Sequence, residues 1–225
     1  MTTIGNLREQ HLAELKDLTL RMAGLARAAL DKAIRAVLER DIELAEAVLN
    51  EDANIDSLEC ELDRLNLRLL ALEQPWAGDL RFIVGCMRMS VDIERIGDEA
   101  ANIADRSLLL YSRPPLQTTT LLETFAGLAR GLVDDAIRCF EQGDVDLARD
   151  ICARNHEALN VNLKLLQDAV EFMIAESRQV ERSIQVSFIG YSLKRICDLC
   201  ANVAESVIFI QLGETIKHSC QDRKN

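Results

Sequence analysis

Four oxygen-bearing side chains share one narrow stripe in the segment Glu94-Arg-Ile-Gly-Asp98-Glu-Ala-Ala-Asn102-Ile-Ala-Asp105. With Glu94 at zero and about 100° per helical residue, Asp98 falls at about 40°, Asn102 at about 80° and Asp105 at about 20°. Carboxylates four apart on a helix repel each other by a few tenths of a kcal/mol. A cation, a basic partner, or water with a neighbouring arginine offsets that repulsion. Glu-x-x-x-Asp spacing lets two carboxylates share a metal ion. Hard cations such as Mg²⁺ take oxygen ligands, and iron and manganese accept carboxylates. Two carboxylates are an incomplete shell, so another helix must contribute. Asp52-x-x-x-Asp56, with Glu51 and Glu59 beside it, is the second acidic pair. The residue types leave two readings open, a metal-binding ridge and a solvated acidic face.

A second copy of the motif, Lys194-Arg-Ile-Cys-Asp198-Leu-Cys-Ala-Asn202-Val-Ala-Glu205, lies at an offset of 100. It aligns Arg95 with Arg195, Asp98 with Asp198 and Asn102 with Asn202. Lys194 stands where Glu94 stands, and an ammonium cannot ligate a metal. Leu159 and Asn160 bracket the place of Asp56. A metal site in this copy is degraded or absent, and Lys194 is placed to pair with Asp198. Cys197-x-x-Cys200 lies mid-helix without a second pair to complete a zinc shell, so it reads as two small residues on a packed face. His11, His156 and His218 form no Glu-x-x-His, and no phosphate-cradling loop or nucleophile elbow is present. These absences weigh against an enzyme. In Gln74-Pro75-Trp76-Ala77-Gly78-Asp79-Leu80-Arg81, Pro75 stops one helix and Asp79 favours the dipole of the next. Arg81 is expected to reach a carboxylate on an adjacent helix.

The elements that position these residues follow from composition. Of 225 residues only 10 are Gly and 3 are Pro; aromatics make up 4% and apolar residues 48%, which excludes disorder and a typical β-sandwich. The charge, 26 − 37 = −11, is unsuited to holding nucleic acid. No membrane-length apolar run or secretory signal is read, and the seven cysteines lack the pattern of a disulfide scaffold. A cytoplasmic protein with reduced thiols is expected. Breaks at Glu39–Asp41, Gln74–Pro75, Ser112–Leu116, Gln142–Asp144 and near Ser177–Gln179 leave six long helical segments. Apolar seams run through Leu15, Leu18, Met22, Leu25 and Ala29 in the first, and Ile55, Leu58, Leu62, Leu65, Leu69 and Leu72 in the second. In the fifth the seam is Leu159, Leu163, Leu166, Val170 and Met173. Upstream, Asp41-Ile-Glu-Leu-Ala45 repeats as Asp144-Val-Asp-Leu-Ala148 at an offset of 103. The fold class is therefore all-α: two tandem three-helix bundles, residues 6–111 and 116–213, with a tail at 214–225. Whether they form separate domains or one bundle stays open.

The combination of Gln-Pro-x-Ala-x-Asp-Leu-Arg at Gln74–Arg81, Glu94-Arg-Ile-Gly-Asp98 with Asn102-Ile-Ala104, and Arg195-Ile-x-Asp198 with Asn202 resembles the PhoU family of phosphate transport regulators. Asp41-x-x-Leu-Ala45 and Asp52-x-x-Ile-Asp56 resemble its second helix, and the likeness spans residues 6–213. The resemblance implies pseudo-twofold bundles and a cytoplasmic homodimer peripheral to membrane machinery. It further implies repression of phosphate-starvation signalling by linking a phosphate ABC transporter, through its ATPase subunit, to a sensor histidine kinase. Some members of that family carry iron or zinc clusters on their Glu/Asp-x-x-x-Asp motifs. By position Glu94, Asp98, Asp52 and Asp56 would be ligands, with Asn102 a lesser one and Asp198 the matching acid of the second unit; Fe, Zn, Mn or Mg would suit. Asp79, Arg81, Arg95 and Arg195 would serve partner binding or structure. Lys194 and Cys197 depart from the pattern. The competing readings are a carboxylate-bridged di-metal enzyme and a plain helical scaffold.

Overall fold

A computed structural model describes residues 2–72, 75–114 and 120–215, with side chains from residue 8 onward. Six long helices follow one another: α1 (Thr2–Glu39), α2 (Ile42–Leu72), α3 (Ala77–Tyr111), α4 (Thr120–Gln142), α5 (Val145–Ala175) and α6 (Val180–Leu212). A 3₁₀ turn at Ser177–Gln179 precedes the last, and no strand occurs among the described residues. Gln74, Leu116, His218 and Cys220 lie outside them.

The repeated Asp-x-x-Leu-Ala motif is a helix cap. Asp41 Oδ1 accepts from the Leu44 N–H at 3.1 Å, and Asp144 Oδ1 from the Leu147 N–H at 2.9 Å. Each satisfies an orphan donor of the first turn. The preceding helix closes identically in both units. The residue before the aspartate is left-handed, Arg40 at φ 57° and Gly143 at φ 67°. The aspartate N–H then returns to the Ala36 or Cys139 carbonyl. This is the six-to-one closure that lets the chain reverse without stranding carbonyls. Gly143 takes the conformation without steric cost, whereas Arg40 is fixed there by donating to the Tyr111 and Arg113 carbonyls.

Helices α3 and α6 are central. α3 packs on α1, α2 and α6, while α6 packs on α3, α4 and α5. One continuous apolar core draws on all six helices, from Leu15 and Met22 through Leu62 and Ile103 to Leu132, Ile151 and Ile196. The two units thus share a single core. Ile93, Ile96, Ala100 and Ile103 of α3 face it, as their wheel positions predict.

Three seams differ from the sequence pattern, that of α2 only at its end. In α1, Leu25 is exposed and the row continues through Ala26, Leu30 and Ala33 instead. In α5, Leu159, Leu163, Leu166 and Val170 face outwards, and the core takes Ala148, Ile151, Ala158, Leu165 and Ala169. The inner row is the smaller one, suited to the close approach of α6, whose Gly190 lies against Leu165. Leu72, the last residue of α2, is also exposed, beyond the reach of its neighbours.

Candidate cation face at the contact of α2 and α3

Gly97 sets how closely the two helices meet. A Cβ there would sit 2.7 Å from Ile55 Cδ1 and 3.7 Å from Asp52 Oδ1, so with α2 this close any side chain at 97 would displace the terminal methyl of Ile55. That approach brings Asp52, Asp56 and Glu59 of α2 against Glu94 and Asp98 of α3. Each of four carboxyls is shifted upwards. Burial pushes Glu94 up to about 7, and Asp98, Glu59 and Asp56 add repulsion, partly opposed by Arg95. Asp52 is raised by burial and then by Asp56 and Asp98. Asp98 is raised by burial, Asp56 and Glu99, against a hydrogen bond with Glu94. Burial and Asp63, followed by Asp56 and Asp98, raise Glu59. Partial loss of water and mutual repulsion both disfavour the charged forms. Arg95, exposed on α3, is the cation opposing them.

The other acids of the predicted stripe lie apart. Asn102 donates to Glu99 at 3.3 Å and lines the groove towards α6. Asp105 is exposed a further turn along α3. Glu51 is drawn away from Asp52 by Lys32 of α1. Among the described residues, no three His, Cys, Asp or Glu side chains converge as a metal shell would require. The donors of the α2–α3 face are all carboxylates, a chemistry suited to hard cations. Ligation would require Glu94 to release its proton and the carboxylates to turn towards one another.

The second unit solves the same contact differently. Asn155, offset by 103 from Asp52, donates to Asp198 Oδ1 at 2.9 Å. Lys194 Nζ donates to the same oxygen and, at 3.4 Å, to the Asn155 Oδ1. The side chain of Lys194 is only 15% exposed. Asp198 is thus occupied by an ammonium and an amide, and this trio does not fit a metal ion. Asparagine at position 155 carries no charge signature and is missed in the sequence; the offset of 103 is the signal that points to it. Asn202 donates across to Asp92 of α3 at 3.1 Å, joining the units.

The remaining motif residues are structural. Asp79 pairs with Arg8 of α1 at 3.2 Å. Arg81 finds no carboxylate among the described residues; its Nε donates instead to the Ile210 carbonyl at 3.3 Å. The last turn of α6 leaves carbonyls without helical partners at the negative end of its dipole, which attract a guanidinium as an acid would. Arg195 is exposed on α6. Cys197 and Cys200 are buried; burial holds Cys197 at about 12 and raises Cys200, so neither is a reactive thiolate.

Fold and face together define an all-helical protein made of a duplicated three-helix unit, with its recurrent polar motif where the second and third helices of each unit meet. The model of the PhoU domain matches twice, at residues 19–107 and 122–207, and the chain belongs to this family. It is 35% identical over 209 residues to the phosphate-specific transport system accessory protein PhoU homolog of Aquifex aeolicus, covering 93% of this chain and 95% of that one. The Caulobacter vibrioides homolog is 31% identical over 92% of this chain and 90% of its own length. The crystal structure of PhoU from Pseudomonas aeruginosa superposes with a TM-score of 0.89 at 28% identity, covering 92% of this chain and 99% of that one. The phosphate transport system regulatory protein PhoU from Streptococcus pneumoniae gives 0.87 at 26% identity, with 92% and 98% coverage.

Proposed function

We propose that the protein is a non-enzymatic negative regulator of phosphate uptake and phosphate-starvation signalling. In this reading it works in the cytoplasm as a homodimer and contacts the ATPase subunit of a phosphate ABC transporter and a sensor histidine kinase. The observation that carries the reading is similarity, along more than nine-tenths of the chain, to proteins named as accessory or regulatory components of phosphate transport. No described helix is long and apolar enough to cross a membrane, which suits a peripheral partner of membrane machinery. A regulator of this kind needs a surface whose affinity differs between states of its partners.

The α2–α3 face supplies such a surface. Glu94, Asp98, Asp52 and Asp56 would hold a divalent or ferric cation, whose charge would neutralise the acidic ridge and alter what docks on it. Glu94, holding a proton to about pH 7, is the group that must yield it on ligation. Asn102 and Asp198 take no part: one is turned towards α6 and the other is bound by Lys194.

Deleting the gene should derepress phosphate-scavenging genes in phosphate-rich medium, and unaltered expression would refute the signalling role. The cation reading has its own test. Protein purified without chelator should carry metal by elemental analysis, and Glu94→Gln with Asp98→Asn should lose it while keeping its helicity. Equal metal content in parent and variant would remove the site.

A further inference from the structure

We propose that the exposed apolar face of α5 and α6 is the surface through which two copies of this chain associate. The inference rests on the homodimer of the preceding reading and assigns its interface. Leu159, Leu163, Leu166, Val170 and Met173 follow one another at steps of four, three, four and three, the spacing of a seam that packs against another helix. In this fold the seam is left outside, because the smaller row of α5 fills the core. α6 widens the face with Ile184, Phe188 and Tyr191, and a groove of about 590 Å³ opens between the helices there. Arg106 of α3 stacks over the Phe188 ring at 4.9 Å and forms the rim.

Three observations select a second copy as the occupant. The row is nearly symmetric about Leu166. In an antiparallel two-fold contact Leu159 faces Met173 of the other copy, Leu163 faces Val170, and Leu166 faces itself. Such self-complementarity is what an isologous interface requires and what a foreign helix does not. The area is sufficient. Leu159, Leu163, Leu166, Val170, Ile184, Phe188 and Tyr191 are 39–63% exposed. Together they present on the order of 700 Å², near the roughly 800 Å² per partner of a standard interface and above an ordinary surface patch. Charge points the same way. A chain of net charge −11 repels its own copy over most of its surface, whereas this row carries no charge.

The fold itself does not demand an apolar surface here. At the equivalent positions of the first unit stand Asp56, Cys60, Asp63, Leu67 and Leu70 on α2, and Val84, Arg88 and Val91 on α3. At three of these positions the second unit has an apolar side chain where the first has a charge: Leu159 for Asp56, Leu166 for Asp63 and Phe188 for Arg88.

Sedimentation equilibrium of the full chain tests the proposal. The parent should be dimeric, and Leu166→Glu with Phe188→Glu should weaken the dimer by about a hundredfold or more. Both positions are surface ones, so helicity and the thermal midpoint should be retained. Leu67→Glu, on the corresponding face of the first unit, should leave the dimer intact. A second measurement reads the two-fold axis directly. In a background carrying Cys60→Ser and Cys220→Ser, Leu166→Cys should cross-link to itself on oxidation with diamide, whereas Leu159→Cys should cross-link only when mixed with Met173→Cys. A chain monomeric at all concentrations would overturn both the dimer and its interface. A dimer indifferent to the glutamates, or one lacking these cross-links, would overturn the interface alone.

Discussion

Where α2 meets α3, Asp52, Asp56, Glu59, Glu94 and Asp98 crowd together with Arg95 as the opposing charge; where α5 meets α6, the equivalent residues are Asn155, Leu159, Asn162, Lys194 and Asp198. One contact keeps its repulsion, expressed as four raised carboxyls. The other has removed it, placing an ammonium and an amide on its single remaining acid. The packing beneath has changed in step. Gly97 faces Ile55 in the first unit, and their equivalents in the second are Cys197 and Ala158, both buried. Bulk has moved from one helix to its neighbour. The comparison teaches that a duplicated unit diverges through compensated pairs: the backbone plan is held constant while one contact keeps its crowded carboxyls and the other carries its own ammonium.

The packing exchange gives the largest expected effect. Ile55→Ala should cost about 2–5 kcal/mol, because it empties a buried site. Gly97→Cys should cost about 1–3 kcal/mol by forcing a side chain against Ile55. The double variant, which copies the second unit, should cost at least about 1 kcal/mol less than the two added together. Urea unfolding of the four proteins measures the coupling. Strict additivity would show that the two units do not exchange volume in this way.

The legible parts of this molecule are those written in large or charged residues. Six helices, their breaks and the duplicated order follow from scarce Gly and Pro and from recurrent Arg-Ile and Asp-x-x-Leu-Ala. The meeting of Asp52 and Asp56 with Glu94 and Asp98 follows from spacing on two neighbouring helices. The α5 seam misleads because periodicity reports two rows, and hydrophobicity favours the bulkier one. The core takes the smaller row, through Ala158, Leu165 and Ala169, since helix separation and not hydrophobicity decides what fits. Arg81 misleads because a helix-end carbonyl is a partner that no side-chain pattern reveals. Asn155 is silent for a related reason: its role exists only once Lys194 and Asp198 are beside it.

A smaller effect attaches to the fixed cation. Lys194→Met keeps the aliphatic stem and removes the ammonium from Asp198 and Asn155. The loss should be about 1 kcal/mol, as expected for a half-covered ion pair with a supporting amide. The reciprocal change, Glu94→Lys, should raise stability by a few tenths to about 1 kcal/mol by giving the first unit the arrangement of the second. It should also abolish any stabilisation of the parent by added Mn²⁺, read as a shift in thermal midpoint. Loss of stability in Glu94→Lys would break the equivalence of the two positions.

The smallest effect is a pH dependence, and its sign is set by the direction of the Glu94 shift. An unfolded Glu94 ionises near its ordinary value of 4.5, while the folded residue holds its proton to about 7. Between these values the native state binds more protons than the unfolded one, so its stability falls as pH rises through the interval. Asp52, Glu59 and Asp98, raised in the same direction, contribute with the same sign. Glu94→Gln cannot ionise and should match the parent near pH 4.5, then become progressively the more stable of the two up to about pH 8. The face is open to water, which keeps the difference small. A divalent cation should narrow it at about pH 8 and leave it unchanged near pH 4.5, where the proton competes. Thermal midpoints of both proteins across this range, with and without Mn²⁺, decide the point. A constant offset between the two curves would mean that residue 94 affects packing alone, and the acidic contact would then lose its distinction from the ammonium-held one.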